Sequence, residues 1–282
     1  VKDVHRCNIK HDCINKNDND NYRQSTEIFL IDGDTTVTVN DSIFENIYGH
    51  NGIIIKNNNI MNLDHVIFKD CNFQRGLVKI HQSKFLIGQY YFNNTQFINM
   101  HSQYGSIIHI LELYGSTAVR VTFENSKFEN NTASVYGGVF YSETEFADRF
   151  INFIDCEFIN NKAMIGDIAY SYNLKSEPNI TNIDVLKENP GNFATNPTSV
   201  KLNENAFHNI SIYSGQRIPE EISCSIYDDY DNKIIFNSDS SRIHYDEFMF
   251  FNIEINDTYN AELIGQSQSY CWSDSCLYPP LK

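Results

Sequence analysis

The chain has 282 residues and a formal charge of -15, from 21 Lys+Arg against 36 Asp+Glu. That balance argues against a nucleic-acid partner, whose phosphates demand a basic face, and equally against an anionic membrane surface. No apolar run approaches the ~18 residues that cross a bilayer, while 41% hydrophobic and 13% aromatic residues suffice for a packed core in one large domain or two ordinary ones.

The chain opens "VKDVHRCNIKHDC", without an initiator Met or a signal-peptide apolar stretch, so it is expected to be a mature form or a fragment of a longer, repetitive chain. Cys7 and Cys13 are spaced to close a small loop as a disulfide. Residues 15–27, "NKNDNDNYRQSTE", alternate Asn and Asp as a calcium loop does. They lack the mid-loop Gly, and Thr26 stands at position twelve where a bidentate carboxylate belongs, so a solvated linker is the expectation. Residues 1–36 read as an N-terminal segment or cap.

From there the chain repeats itself. Counting from a Phe, an Asn or Asp follows two residues later and a Gly eight or nine later. The copies are Phe44/Asn46/Gly52, Phe68/Asp70/Gly76, Phe97/Asn99/Gly105, Phe128/Asn130/Gly137 and Phe158/Asn160/Gly166. Alternate apolar residues precede each Phe, as in Val121 and Phe123 or Ile151 and Phe153, which is the period of a half-buried strand. A second short apolar run follows each Gly, and helical periodicity is essentially missing. A repeat of about 30 residues made of short strands predicts an all-β chain whose residues 37–172 form a right-handed parallel β-helix. Equivalent residues then stack from coil to coil. Phe44, Phe68, Phe97, Phe128 and Phe158 are expected as an inward aromatic ladder. Asn46, Asp70, Asn99, Asn130 and Asn160 are expected as an amide ladder at a bend. The Gly is expected to take a positive-φ turn. Asn130 is also an N-glycosylation sequon, and burial in a ladder would keep it unglycosylated.

After Ile168 the rhythm stops. Residues 173–197 hold Pro178, Pro190, Gly191 and Pro197 and read as a linker. Residues 198–282 carry several short strand patterns with turns between them, which predicts a small β-sandwich-like module. The alternative is a further, decorated coil, because "FHNISIYSG", 207–215, echoes the Phe-to-Gly spacing.

No paired-carboxylate motif, nucleophile elbow or metal-ligand spacing stands out, so the chain reads as a non-enzyme with no cofactor and no metal site. Beside the loop at 15–27, the other ion reading the sequence offers is calcium at Asp228, Asp229 and Asp231, against carboxylates that simply stay in water. Six Asn-x-Ser/Thr sequons, at Asn40, Asn93, Asn130, Asn179, Asn209 and Asn256, and the close pair Cys271/Cys276 suit a secreted, oxidised protein. Part of the sequon count follows from the 36 Asn alone. Cys71, Cys156 and Cys224 are isolated and read as buried thiols. The Tyr-rich acidic turn Tyr227, Asp228, Asp229, Tyr230, Asp231, together with Trp272, is the candidate surface for a partner.

The repeats "FENNTASVYGG" and "CEFINNKAMIGD" resemble those of β-helices of the polymorphic-outer-membrane-protein type, which implies fold and surface display. The Asn-rich coils followed by "ATNPTSVKL", "YSGQRIPEEISCSIYDDYDNKI", "FFNIEINDTYNAELIGQ" and "YCWSDSC" resemble a repeated unit of the scaffoldins of anaerobic gut fungal cellulosomes. That second resemblance implies a secreted, non-catalytic, cohesin-like module that holds the dockerin modules of plant-cell-wall-degrading enzymes. A glycan- or host-binding adhesin and a β-helix polysaccharide lyase or hydrolase are the rival readings. An exposed aromatic platform would favour the first rival and a lined-up carboxylate cluster the second.

Overall fold

The computed structural model describes residues 27–30, 34–55, 58–80, 87–114, 116–203, 211–218, 223–235, 249–272, 275–276 and 278–282. Cys7, Cys13 and most of the N-terminal segment lie outside the described residues. The chain divides into two units, Val1–Asn196 and Pro197–Lys282.

The first unit is a parallel β-solenoid with four faces. The first face stacks Thr36–Asn40, Asn59–Asp64, Ile87–Asn93, Ala118–Glu124, Ile151–Ile154 and Asn179–Ile180. The second stacks Ile43–Glu45, Ile67–Lys69, Gln96–Ile98, Lys127–Glu129 and Glu157–Ile159. The third stacks Tyr48–Gly49, Asn72–Phe73, His101–Tyr104 and Thr132–Tyr136. The fourth runs Phe29–Leu30, Ile53–Ile55, Val78–Ile80, Ile108–Ile110, Phe140–Ser142, Ala169–Ser171 and Phe193–Thr195. Neighbouring strands on each face are parallel and pair equivalent residues, so Phe44, Phe68, Phe97, Phe128 and Phe158 are direct neighbours.

The rings of those five Phe stack in order, with centroids 5.0, 5.6, 5.0 and 5.0 Å apart. A second interior stack, Phe92, Phe123 and Phe153, comes from the first face and meets the first stack edge-on at Phe97, Phe128 and Phe158. Offset and edge-to-face ring pairs of this kind add roughly 0.5–1.5 kcal/mol each beyond their buried area.

Every coil turns where the backbone enters the left-handed region. At the corner between the second and third faces stand Asn46, Asp70, Asn99, Asn130 and Asn160, with φ of 56, 52, 53, 55 and 52°. Five residues earlier, between the first and second faces, Asp41, His65, Asn94, Asn125 and Asp155 do the same, with φ from 47 to 52°. Asn and Asp tolerate this conformation better than other side chains. Only a Cβ-free residue fits the third turn. At Gly137, φ is 63° and a Cβ would stand 2.0 Å from the Phe140 carbonyl oxygen. Gly52 departs from the expected pattern, because its φ is not positive. It is needed for space, since a Cβ there would stand 2.5 Å from Leu77 Cδ1.

The inward amide ladder belongs to a different residue from the one expected. Asn130 is exposed, so burial gives no reason for it to lack a glycan. The next residue, Asn131, is fully buried. Its Nδ2 donates to the Phe97 carbonyl one coil back (3.0 Å), and its Oδ1 accepts from the Met100 N–H (2.9 Å). Asn161 repeats this on Phe128 and Asn131. Cys71 stands at the same place in its coil and points its thiol at the Phe44 carbonyl (3.7 Å). At the other corner Ser126 and Cys156 do likewise on Phe92 and Phe123. Two of the isolated cysteines therefore fill corner positions that Asn and Ser fill elsewhere, and burial pushes their thiols up to about 11 for Cys71 and about 12 for Cys156.

Residues 173–197, expected as a linker, extend the solenoid instead. Asn179–Ile180 pairs with Asn152 and Phe153, and Phe193–Thr195 pairs with Ala169–Ser171. A 3-10 turn at Leu174–Ser176, capped by the Asn173 side chain, and a short helix at Ile183–Lys187 carry the chain between them. Proline and glycine here shape the turns of a last partial coil. Phe29–Leu30, inside the expected cap, is likewise a coil strand, paired with Ile53 and Ile54.

The second unit holds one antiparallel sheet of five strands, ordered Ser199–Leu202, Cys224–Tyr227, Ser275–Cys276, Gln268–Trp272 and Met249–Asn252. The second sheet that a sandwich requires is not found among the described residues. Cys271 and Cys276 face each other across a hairpin and are disulfide-bonded. They pack with Cys224, Ile226, Met249 and Phe251 into the core of this unit.

Two substitutions separate the corner devices. Asn131→Ala removes both amide bonds and strands two buried backbone groups, at a cost of about 2–4 kcal/mol. Asn130→Gly keeps the left-handed turn and is expected within about 1 kcal/mol of wild type. Urea unfolding of the two variants checks this; equal losses would mean that the buried amide is not the coil-to-coil anchor.

Candidate functional site

The predicted partner surface is divided by the structure. Asp228 is buried, and its carboxylate accepts from the Tyr230 N–H (2.9 Å), the Asn232 N–H (2.8 Å) and Asn232 Nδ2 (3.0 Å). It closes a turn, which is the ordinary use of Asp after a strand. Asp229 and Asp231 are exposed, Tyr230 is half-buried, and Asp231 takes a positive φ of 62°. Asp231 accepts from Lys201 Nζ (2.5 Å), and the same ammonium lies 5.0 Å from the centre of the Tyr227 ring. The three aspartates are thus held to different tasks, and among the described residues no group of three or more His, Cys, Asp or Glu is placed to hold one metal ion.

Strand register supplies what the turn does not. Ser199 pairs with Tyr227, and Phe250 pairs with Tyr270. Phe251 and Met249 alternate to the core side, while Phe250 and Tyr270 stand on the other face, 74% and 39% exposed, with ring centroids 6.4 Å apart. Trp272 lies two residues beyond Tyr270 on the same strand, paired with Ser275. An exposed Phe opposite an exposed Tyr is the kind of surface that anchors an interface. Phe250 was missed by the sequence reading; the alternation in "MFFNIE" holds the signal, since the two Phe side chains must leave the strand on opposite faces.

Charge is uneven along the chain. Residues 197–282 carry 5 Lys+Arg against 13 Asp+Glu, a formal charge of -8 on 86 residues. The smaller unit therefore holds more than half of the chain's net charge.

The solenoid has its own concentration of chemistry on the fourth face. Lys79, His109, Tyr141 and Tyr170 are successive neighbours there. Tyr104 and Tyr136 from the third face pack on them, with the Tyr104 ring 5.8 Å from His109 and Tyr136 stacked 4.7 Å from Tyr170. Tyr141 donates to Glu143, and burial first, then the Glu143 charge, raises its phenol far above the ordinary value. His109 is 5% exposed, and neither ring nitrogen has a hydrogen-bond partner. Burial, and after it the charges of Arg75, Lys79 and His50, push its pKa down to about 3. It is a neutral ring in an aromatic layer.

An open pocket of about 480 Å³ lies at the C-terminal end of the first face, bordered by Asp148, Asn152, Leu174, Lys175, Asn179 and Ile183 among others. Glu177 on its wall is buried and paired with Lys187 Nζ (2.7 Å).

These features define a parallel β-solenoid followed by a disulfide-bonded antiparallel sheet with an exposed aromatic pair. Comparison with protein-family models, with curated proteins and with solved structures finds no match for the chain. No helix among the described residues is long and apolar enough to cross a membrane.

His109 gives a prediction with a definite sign. Unfolded, the imidazole titrates near 6.5; folded, it titrates near 3. Between these values the unfolded chain binds the extra proton. The contribution is therefore present above about pH 6.5 and is lost as the pH falls, by about 2 kcal/mol at pH 5. His109→Phe is expected to shrink the difference between urea unfolding at pH 7.5 and at pH 5 by about that amount. A difference that stays the same would show that the ring is not buried neutral.

Proposed function

We propose that the chain is a non-catalytic, secreted binding module of a larger scaffold protein, a cohesin-like unit that holds dockerin-bearing plant-cell-wall-degrading enzymes. The observation that carries this reading is the exposed pair Phe250–Tyr270 on a sheet stapled by a disulfide. Two exposed rings side by side offer apolar area that a partner can cover, and aromatic residues lead the hot spots of protein interfaces. The acidic balance of residues 197–282 supports a partner with a basic or neutral face, because complementary charge speeds encounter and excludes acidic competitors. The Cys271–Cys276 disulfide and the exposed sequons Asn40, Asn130, Asn179 and Asn256 support secretion.

Other strongly polar groups serve the fold. Asp70 accepts from Asn99 Nδ2 (2.8 Å) and Asp64 from Asn93 Nδ2 (2.9 Å) and Asn94 Nδ2 (3.2 Å). The Asn94 amide first, then His65, holds the Asp64 carboxyl below its usual value, so it is an anion locked in a ladder. These roles account for Asp64 and Asp70 without a reaction.

The test is a pull-down of secreted enzymes from a fibre-degrading anaerobic fungus on the immobilised chain, with isolated dockerins as competitors. The expected outcome is capture of several unrelated hydrolases, abolished by free dockerin. Phe250→Ala and Tyr270→Ala are each expected to weaken dockerin binding about 30-fold, the effect of losing a hot spot of about 2 kcal/mol. Absence of capture from a competent extract would overturn the cohesin-like reading.

A further inference from the structure

The first face of the solenoid is a flat, almost uncharged strip on an otherwise acidic chain. Its outward residues alternate with core residues over Asn59–Asp64 and Ile87–Asn93, while in Ala118–Glu124 the outward position Thr122 is itself buried. Register places Thr38, Asn62, Tyr91, Thr122, Asn152 and Asn179 in one column, each next to its counterpart in the following coil. At roughly 4.8 Å per coil this column is about 24 Å long. Gln89 and Asn93 flank Tyr91 on the same strand. Outward charges on the face are confined to Asp64, Arg120 and Glu124, and Asp64 is already bonded to Asn93 and Asn94. The second face differs, with charged pairs such as Lys127–Glu129 and Lys69–Glu45 along it.

Several side chains of the strip are held by neighbours. Tyr91 donates its hydroxyl to Gln89 Oε1 (3.2 Å), and Asn179 Nδ2 donates to Asn152 Oδ1 (3.1 Å) and to the Asp148 carbonyl (2.6 Å). A side-chain amide has two N–H donors and an acceptor with two lone pairs, so one or two ladder bonds leave capacity over. Tyr91 is 37% exposed and adds an aromatic surface at the middle of the column. Asn152 and Asn179, at the end of the column, also border the pocket of about 480 Å³.

We propose that this face and the adjoining pocket bind an uncharged polysaccharide. Amides and hydroxyls repeated at one spacing match a polymer that repeats its own hydroxyls. Tyr91 offers a flat apolar surface to the C–H side of a sugar ring. Tyr91, Asn152 and Asn179 are already held, so little of their rotamer freedom is lost on binding. The ligand class follows from charge, because a chain at -15 with Asp64 and Glu124 on this face repels an acidic polymer. The exposed apolar side chains of the face, Ile60 and Ile87, lie to the N-terminal side of the column, whereas a protein interface would have an apolar centre. The site stands apart from the aromatic pair of the second unit in sequence and in chemistry and does not depend on its role.

The test is affinity electrophoresis of the full chain, freed of N-glycans because Asn40, Asn93 and Asn179 on this face are sequons. The gels would contain hydroxyethylcellulose, glucomannan or a neutral xylan, with polygalacturonate as the charged control. Retardation is expected in at least one neutral gel and not in polygalacturonate. Tyr91→Ala, and separately Asn62→Ala, are each expected to weaken that retardation at least tenfold while leaving the thermal unfolding midpoint and dockerin capture unchanged. Phe250→Ala should leave retardation unaltered. No retardation in any neutral gel, retardation in polygalacturonate alone, or retardation indifferent to both face substitutions would overturn the proposal.

Discussion

A parallel solenoid stacks only if every coil changes direction at the same places, and here that constraint falls on a handful of left-handed residues. Asn46, Asp70, Asn99, Asn130 and Asn160 form one corner and Asp41, His65, Asn94, Asn125 and Asp155 the other, all with φ between 47 and 56°. An ordinary L residue in that region costs roughly 1 kcal/mol or more, and Asn and Asp reduce the penalty. Where the residue that follows a corner is polar, it holds the coils in register. Asn131 and Asn161 reach back to the Phe carbonyl of the previous coil, and Cys71 takes the same place two coils before Asn131. Once corners and anchors are fixed, the Phe stacks follow, because register sets equivalent residues directly beside one another.

This hierarchy explains what could be read from the sequence. The Phe, Asn and Gly positions were legible, since each is a residue type that only one conformation or one environment suits. The other corner was equally present, three residues before every ladder Phe, but its mixture of Asp, His and Asn hides it from a search for one letter. The buried amide was misplaced by one position. Asn130 and Asn131 are adjacent and identical in type, and only the backbone turn between them sends one outward and the other in. The last coil was taken for a linker because its strands, Asn179–Ile180 and Phe193–Thr195, are too short to show a period of two. Proline there marks turns within the fold as readily as it marks the end of one.

The structure divides the candidate surface in residues 197–282 for a local reason. Tyr227 to Asp231 combine acidic and aromatic residues, which reads as an accessible patch. Yet Asp228 is the buried member, because an Asp at this position saves three donors of a tight turn from going unpaired. Tyr270 and Phe250 carry no motif at all. Their exposure follows from pairing, and pairing is not visible until the register of Met249–Asn252 against Gln268–Trp272 is known. A sandwich was expected from the strand count, but strand count does not say how many sheets the strands make.

The distribution of charge gives the two proposed binding surfaces different forces to work with. A fold that spends Asp64 and Asp70 on coil-to-coil bonds removes those charges from recognition, since each is already met by amide donors. The same economy leaves the first face with neutral amides and hydroxyls, while a larger share of the net charge falls on the second unit. A neutral strip is indifferent to ionic strength and favours uncharged polymers, whereas an acidic sheet with an aromatic centre favours a basic or neutral protein and weakens as salt screens it. Salt therefore separates the two surfaces on one molecule. Retention by a neutral polymer should survive a salt concentration that slows protein capture, and the residues responsible differ in each case.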